Sequence, residues 1–275
     1  MIRILRSRIR QGHRTIAYPS GPPPALPARF AGRPVIEAGR CTKGCRACLD
    51  ACPTGAVAAE PGGGIRIDTG RCLFCRECER ACPAGALKLT GEYRMASATR
   101  DGLIVHAGMA EGFPGAFSTK ASRLFRRSLK LREVSAGGCN ACEADTNVLS
   151  TIGWDLGRFG IQFVASPRHA DGILVTGPVT GAMKLALMKT WDAVPPPKVV
   201  IAVGACAVSG GIFRGSPECC DGVADLLPVD LFIPGCPPHP LTILDGLLRF
   251  LGRVSDESGA PGEVSKASGT RRTRP

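Results

Sequence analysis

The second half of the chain alternates short apolar runs with longer helical patterns. Four runs have the length and the flanking residues of buried strands: Ile161–Val164, Gly172–Val175, Val199–Val203 and Leu231–Ile233. The spacing of apolar residues predicts helices over Ala182–Trp191 and over Leu241–Leu251, the second of which is started by His239-Pro240. Because strands alternate with helices, we expect an α/β domain with a mostly parallel sheet.

The pattern before residue 134 is less regular. A Pro- and Gly-rich stretch precedes a cysteine-rich region, and a later basic stretch predicts a helix around Ser122–Leu131. From Ser255 onward the chain lacks apolar periodicity, which predicts disorder. These changes predict a basic arm, a cysteine-rich domain, a basic linker, an α/β domain and a disordered tail, with the bounds 1–38, 39–95, 96–133, 134–254 and 255–275.

The net charge of +12 is concentrated in two segments. Residues 1–36 contain seven arginines and no acid, residues 112–132 contain six basic residues and no acid, and the remainder is close to neutral. We therefore expect no broad nucleic-acid-binding face. An acidic partner subunit or an anionic membrane surface suits two local basic segments, with solvated arms as the alternative. The first residues lack the apolar region of a secretory signal.

Eight of the 14 cysteines lie between Cys41 and Cys82, a region with an internal repeat in which residues 46–57 match residues 76–87. The spacing Cys72-x2-Cys75-x2-Cys78-x3-Cys82-Pro83 is that of two-cluster bacterial ferredoxins, in which the fourth cysteine ligates the other cluster. This predicts two 4Fe–4S clusters, one held by Cys52, Cys72, Cys75 and Cys78 and the other by Cys41, Cys45, Cys48 and Cys82.

The first copy of the repeat departs from this spacing, because three residues separate Cys41 from Cys45. Either Gly44 allows a small bulge that absorbs the extra residue, or Cys41 is a poor ligand and its cluster is labile. A zinc ribbon needs two C-x2-C pairs at a longer separation. A zinc-stabilised nucleic-acid-binding protein is therefore a disfavoured alternative.

A third group of cysteines follows predicted strands of the α/β domain. Cys206 follows Val199–Val203 and Cys236 follows Leu231–Ile233, and sites in open α/β sheets form beyond the carboxyl ends of the strands. We predict a third 4Fe–4S cluster, held by Cys139, Cys142, Cys206 and Cys236. Glu143 is a candidate for proton relay or for tuning of the potential, against a plain hydrogen-bonding role. We expect four further residues to be free thiols or loop and interface residues, namely Cys219, Cys220, His169 and His239.

Several long motifs resemble known families. The segment 134–251 resembles the small subunit of membrane-bound group 4 NiFe-hydrogenases and the 20 kDa cluster subunit of complex I, in GGCNACE (137–143), RFGIQFVASPRHADGILVTGPVT (158–180), GACAVSGGIF (204–213) and IPGCPPHP (233–240). The first half resembles the two-cluster ferredoxin subunit of formate hydrogenlyase, in IAYP (16–19) and GRCLFCRECERACPAGALKLTGEYRMA (70–96). The chain thus resembles a fusion of two such subunits.

The resemblance implies an α+β ferredoxin-like two-cluster domain followed by an α/β flavodoxin-like domain. It also implies electron transfer from a donor subunit, such as a formate or CO dehydrogenase, to a NiFe centre on a separate large subunit. Membrane-arm subunits would complete the complex, peripheral on the inner, cytoplasmic face of the membrane. The Cys139-Asn-Ala-Cys142 spacing resembles that of hydrogenase small subunits, whereas the complex I subunit has adjacent cysteines. A complex I-like NADH or ferredoxin:quinone oxidoreductase is the alternative.

Overall fold

Two small antiparallel sheets and one five-stranded parallel sheet form in the part of the chain that the structure describes. This computed structural model describes residues 2–42, 44–61, 63–109 and 123–254. The small sheets belong to the cysteine-rich half and the parallel sheet to the second half. The predicted order of a ferredoxin-type region followed by an α/β domain is confirmed.

The cysteine-rich half is built from short elements. In chain order they are α1 (Ile2–Gln11), β1 (Pro34–Ile36), α2 (Ala47–Asp50), β2 (Val57–Ala59), β3 (Ile65–Asp68), α3 (Glu77–Ala81), β4 (Leu87–Leu89) and β5 (Ile104–His106). Strand β1 pairs with β4, and β3 lies between β2 and β5. Because alternate strand residues face the same side, Ile65 and Ile67 of β3 are both buried, and they form a core with Leu87.

The second half has the flavodoxin-like strand order. Its elements are β6 (Leu129–Ser135), α4 (Ala141–Val148), β7 (Ile161–Phe163), β8 (Gly172–Thr176), α5 (Gly181–Ala193), β9 (Val199–Val203), α6 (Gly204–Ser209), β10 (Leu231–Ile233) and α7 (Pro240–Phe250). The strands are all parallel, in the order β10-β9-β8-β6-β7. Numbered within this domain, the order is 2-1-3-4-5, which reverses between β6 and β8.

Helices cover both faces of the parallel sheet. On one face, all eleven residues of α7 are buried and its leucines pack with Leu131 and Ile201. On the other face, Leu187 of α5 and Val208 of α6 pack with alternate strand residues such as Val200. Strands covered on both sides are buried throughout, which explains why β8 and β9 are continuous apolar runs.

The predicted helix around Ser122–Leu131 is wrong. Among its described residues only 123–125 are helical, and Leu129 begins β6, which pairs with both β7 and β8. Leu129 and Leu131 are buried while Lys130 between them is exposed, a period of two that indicates a strand. The many basic residues of this segment made the alternation hard to recognise in the sequence. In the folded chain, the pairing of β6 with two neighbouring strands outweighs the local preference of these residues for a helix.

Other segments also contain more structure than the sequence indicated. The arm 1–38 contains α1 and β1, and the linker 96–133 contains β5 and the start of β6. In that linker, Ser97 exchanges two backbone hydrogen bonds with Phe232 of β10, which joins the two halves. The tail 255–275 and the segment 110–122 lie outside the described residues. None of the helices in the described ranges is long and apolar enough to cross a bilayer.

Candidate iron–sulfur centres

The first group of cysteines, here named the distal site, surrounds a small cavity. It consists of Cys41, Cys45, Cys48 and Cys82, which all line this cavity. Apolar residues such as Ile65 and Ala86 form much of the remaining wall. Four thiols around an apolar cavity fit the ligand set of a 4Fe–4S cluster.

The second group, here named the middle site, has the same composition. It consists of Cys52, Cys72, Cys75 and Cys78, which line a second small cavity. Cys52 comes from the first repeat and lies with three cysteines of the second, whereas Cys82 makes the opposite crossing to the distal site. The structure therefore groups the cysteines in the crossed sets that the ferredoxin spacing predicts, while iron binding by these sets stays a prediction.

Equivalent hydrogen bonds support the two crossing cysteines. The amide of Ala56 donates to Sγ of Cys52 at 3.2 Å, and 30 residues later the amide of Ala86 donates to Sγ of Cys82 at the same distance. Such donors stabilise a thiolate, because they interact with its negative charge. The repeat in the sequence is thus also a repeat in the environment of the sulfur atoms.

The extra residue of the first copy is accommodated beside Gly44. This glycine has a φ of +77°, a left-handed conformation that costs little only without a side chain, and it has open space around it. Cys41 still lines the distal cavity together with Cys45. The geometry therefore agrees with the bulge interpretation rather than with a displaced Cys41.

The third group, here named the strand-end site, lies beyond the carboxyl ends of three strands of the parallel sheet. Its members are Cys139 and Cys142 after β6, Cys206 in α6 after β9, and Cys236 after β10. Burial raises the pKa of Cys142, and the nearby thiols of the other three raise it further. Gly204 allows this approach, because a Cβ atom there would lie 2.5 Å from Sγ of Cys142.

Burial raises the pKa of several of these thiols, so that the protonated form is favoured in the absence of a metal. It raises the pKa of Cys72 to about 12, and it raises the pKa of Cys78 and of Cys206 to about 11, with neighbouring thiols adding to the effect. An apolar environment disfavours the charged thiolate. Because metals bind the thiolate, loading such a site releases protons.

Glu143, the predicted candidate for proton relay or tuning, is buried beside the strand-end site. Its Oε1 accepts hydrogen bonds from Ser135 at 2.5 Å and from Thr176 at 2.6 Å. Burial raises the pKa of Glu143, but these two hydrogen bonds outweigh burial and hold the pKa below its ordinary value. The structure thus gives Glu143 a hydrogen-bonding role between β6, β8 and α4.

The three sites lie in series. Cys48 of the distal site raises the pKa of Cys78 in the middle site, and Cys75 of the middle site raises the pKa of Cys236 in the strand-end site, each after the larger effect of burial. Such an effect requires the two thiols to be close. The middle site therefore has the other two as its neighbours.

A buried contact fixes the junction between the middle and strand-end sites. The hydroxyl of Ser209 in α6 donates to the carbonyl of Gly70 at 2.9 Å, just before the Cys72 loop. A Cβ atom on Gly70 would lie 2.7 Å from the Val208 side chain, so the two segments are in close contact. Sequence reasoning missed Ser209, because its partner is 139 positions away and only the motif around Cys206 marked the region.

The residues expected not to be ligands have other contacts. The Cys220 amide donates to the carbonyl of Val179, and the Cys219 thiol lies near enough to Cys206 to raise its pKa slightly. His239 caps α7 by accepting from the Leu241 amide at 3.1 Å, and burial lowers its pKa. His169 ends a short 3-10 turn before β8. Among the described residues, no three His, Cys, Asp or Glu groups converge as a single metal ion requires.

A ferredoxin-type half with two four-cysteine cavities, joined to an α/β half with a third cysteine group, defines an iron–sulfur oxidoreductase subunit. Residues 139–250 match the family described as the NADH ubiquinone oxidoreductase 20 kDa subunit, and residues 32–86 match the 4Fe-4S dicluster domain. The chain belongs to the first of these families.

Individual relatives include both hydrogenase and quinone oxidoreductase subunits. Formate hydrogenlyase subunit 7 of Escherichia coli is 42% identical over 153 residues, which cover 54% of this chain and 60% of the relative. A probable membrane-bound hydrogenase subunit of Pyrococcus furiosus is 41% identical, with 47% of this chain and 77% of the relative covered. An NADH-quinone oxidoreductase subunit of Citrifermentans bemidjiense is 41% identical, with 46% of this chain and 73% of the relative covered.

One similar chain of known structure belongs to the membrane-bound sulfane sulfur reductase, an archaeal respiratory membrane complex. It is 29% identical, with 53% of this chain and 80% of that chain covered and a TM-score of 0.43.

Proposed function

We propose that this chain is the iron–sulfur electron-transfer subunit of a membrane-associated group 4 NiFe-hydrogenase complex of the formate hydrogenlyase type. The observation that carries the proposal is the series of three four-cysteine sites. Each site would hold a 4Fe–4S cluster, which takes up and releases one electron when bound. The NiFe centre would belong to a separate large subunit.

The chain's own residues set the order of the sites. Cys48 raises the pKa of Cys78 and Cys75 raises the pKa of Cys236, so the middle site is the neighbour of both other sites. The buried hydrogen bond from Ser209 to Gly70 connects the two halves at the second junction. The distal site is thus the entry for electrons from a formate- or CO-oxidising donor, and the strand-end site is the exit.

An exposed apolar surface beside the strand-end site supports a large-subunit partner. Cys139 and Cys236 are exposed, and Ile212 and Phe213, which follow α6, are 62% and 41% exposed. Cys206 lies against this segment, because a Cβ atom on Gly211 would be 2.8 Å from its Sγ. Large apolar side chains that surround an exposed site are typical of a protein interface. We place the large subunit on this surface.

A complex I-like quinone oxidoreductase subunit is the second candidate. Relatives of that kind are as similar in identity as the hydrogenase relatives. The C-x2-C spacing of Cys139 and Cys142 favours the hydrogenase, because adjacent cysteines mark the complex I subunit in the resemblance. Both candidate functions imply membrane-arm partner subunits and a peripheral location on the cytoplasmic face of the membrane.

Anaerobic reconstitution of the full chain with iron and sulfide tests the three sites. We expect roughly twelve iron ions per chain and the EPR signals of three reduced clusters. Cys48→Ser, Cys78→Ser and Cys142→Ser should each remove one signal and roughly four iron ions. The matched control is Cys219→Ala with Cys220→Ala, which should keep all three. A colourless zinc protein, or wild type with fewer than three clusters, would overturn the proposal.

Co-expression with a NiFe-type large subunit tests the partner. We expect the two chains to purify together and to evolve hydrogen from a reduced viologen, whereas this chain alone evolves none. Ile212→Ser with Phe213→Ser should weaken co-purification, while Leu185→Ser, at another exposed apolar position, should not. Quinone reduction without hydrogen evolution by the complex would favour the second candidate.

A further inference from the structure

Helix α1 is amphipathic and is exposed along its whole length. All ten of its residues are exposed. At 3.6 residues per turn, Ile2, Leu5 and Ile9 form one apolar stripe, and these side chains are 63% to 72% exposed. The helix also contains four arginines and no acid: Arg3, Arg6, Arg8 and Arg10.

The arginines are placed on both sides of the apolar stripe. With about 100° between successive residues, Arg6 lies on one side of the stripe and Arg8 on the other. Ile4 lies about 130° from the centre of the stripe. The first acidic residue of the chain is Glu37, so the charge of this region is positive throughout.

The segment that follows α1 is hydrogen-bonded to the α/β domain. The Ile16 amide donates to the carbonyl of Gly153 at 2.8 Å, and the Thr15 hydroxyl donates to the carbonyl of Ile152 at 3.0 Å. The segment that follows α1 is therefore attached to the α/β domain, which contains the strand-end site.

We infer that α1 binds the surface of an anionic lipid membrane and lies in the plane of the interface. There the apolar stripe leaves water for the acyl boundary, and arginines on both sides of it meet lipid phosphates. A membrane surface is negative everywhere, which suits an unbroken positive charge better than a partner with specific acidic positions. This inference deepens the proposed membrane association, on which it rests, and names the element responsible.

Co-sedimentation of the reconstituted full chain with lipid vesicles tests the inference. We expect binding to vesicles that contain phosphatidylglycerol, weaker binding to pure phosphatidylcholine, and a loss of binding as salt increases. Leu5→Ser with Ile9→Ser should lower the partition coefficient roughly tenfold or more. Arg6→Gln with Arg8→Gln should lower it by a similar factor at low salt.

Ile4→Ser is the matched control, because it removes an equally apolar, exposed side chain outside the stripe. It should leave binding within about twofold of wild type. Equal losses for the stripe variant and Ile4→Ser, or no vesicle binding by wild type, would overturn the inference. If wild type ignores vesicles and the stripe variant no longer purifies with its protein partners, α1 binds a protein instead.

The same samples separate this inference from the proposed function. Iron content and EPR signals of the stripe variant should equal those of wild type, since every residue of α1 is exposed and, among the described residues, none lines the distal or middle cavity. Vesicle binding by a chain that lacks clusters contradicts the electron-transfer proposal alone. Three clusters on a chain that ignores vesicles contradict the α1 inference alone.

Discussion

The hydroxyl of Tyr18 donates a hydrogen bond of 2.5 Å to Oδ1 of Asp245, across 227 positions of sequence. Asp245 is fully buried in α7 and also accepts from Arg249 at 2.9 Å. A buried carboxylate needs such partners, because nothing else replaces its hydration. The contact ties the segment before the cysteine-rich domain to the core of the α/β domain.

Tyr18→Phe should therefore destabilise the protein. It removes one donor to a buried carboxylate, and we expect the free energy of unfolding to fall by about 1–3 kcal/mol. Chemical denaturation of the reconstituted chain measures the change. Thr190→Val is the control: it removes an exposed hydroxyl that bonds only the carbonyl of Ala186, and the expected change is within about 0.5 kcal/mol. Equal effects of the two variants would contradict the structural role of Tyr18.

The crossed cysteine sets predict which EPR signal each variant loses. Cys52→Ser should remove the same signal as Cys78→Ser, although Cys52 belongs to the first repeat. Cys82→Ser should remove the signal that Cys48→Ser removes. The reverse grouping, with Cys52 following Cys48, would contradict the crossed arrangement.

Gly204→Ala should damage the strand-end site selectively. Its Cβ atom would lie 2.5 Å from Sγ of Cys142, so one of the ligand segments has to move. We expect a loss of roughly four iron ions, with the other two signals retained. Gly215→Ala is the control for backbone strain, since Gly215 has a φ of +76° with open space around it. A normal iron count in Gly204→Ala would show that the site tolerates the displacement.

The raised pKa of Glu133 predicts that the free energy of unfolding depends on pH. Burial and the charge of Glu143 raise the pKa of Glu133 to about 7, against the influence of Arg132, and its buried Oε1 has no hydrogen-bond partner among the described residues. The folded chain therefore holds this proton more tightly than the unfolded chain does. The resulting stabilisation is complete below pH 4.5 and is lost as the pH rises through about 7.

Glu133→Gln should remove the loss of stability that wild type shows as the pH rises through about 7. Because the side chain is partly exposed, solvent screening lowers the effect, and we expect the stability of the variant relative to wild type to rise by about 1–3 kcal/mol between pH 5 and pH 8. Denaturant midpoints of the two proteins at each pH measure it. A difference that stays constant with pH would show that Glu133 keeps its ordinary pKa.

Local patterns were sufficient for much of the α/β domain and for the cysteine sets. Val199–Val203 and Leu231–Ile233 are strands with the predicted bounds, because a continuous apolar run can be satisfied only between two covering layers. The crossed cysteine sets were predicted from the spacing of the ferredoxin motif, in which the fourth cysteine ligates the other cluster.

Long-range pairing explains what the sequence did not reveal. Strand β6 pairs with β7 on one side and with β8 on the other, and these strands supply its hydrogen bonds. No local feature of Lys130 and its basic neighbours indicates this position in the sheet. The exposure of the apolar stripe on α1 is likewise a tertiary property, because it depends on which other segments pack against the helix.

The sequence alone therefore predicted iron–sulfur chemistry and the cysteines expected to serve it, because cysteine spacing is a property of consecutive residues. Folding in three dimensions determined which of the sites are neighbours. The proximity of Cys75 to Cys236 and the bond from Ser209 to Gly70 join segments that are distant along the chain, and such contacts arise only from the packing of one domain on the other.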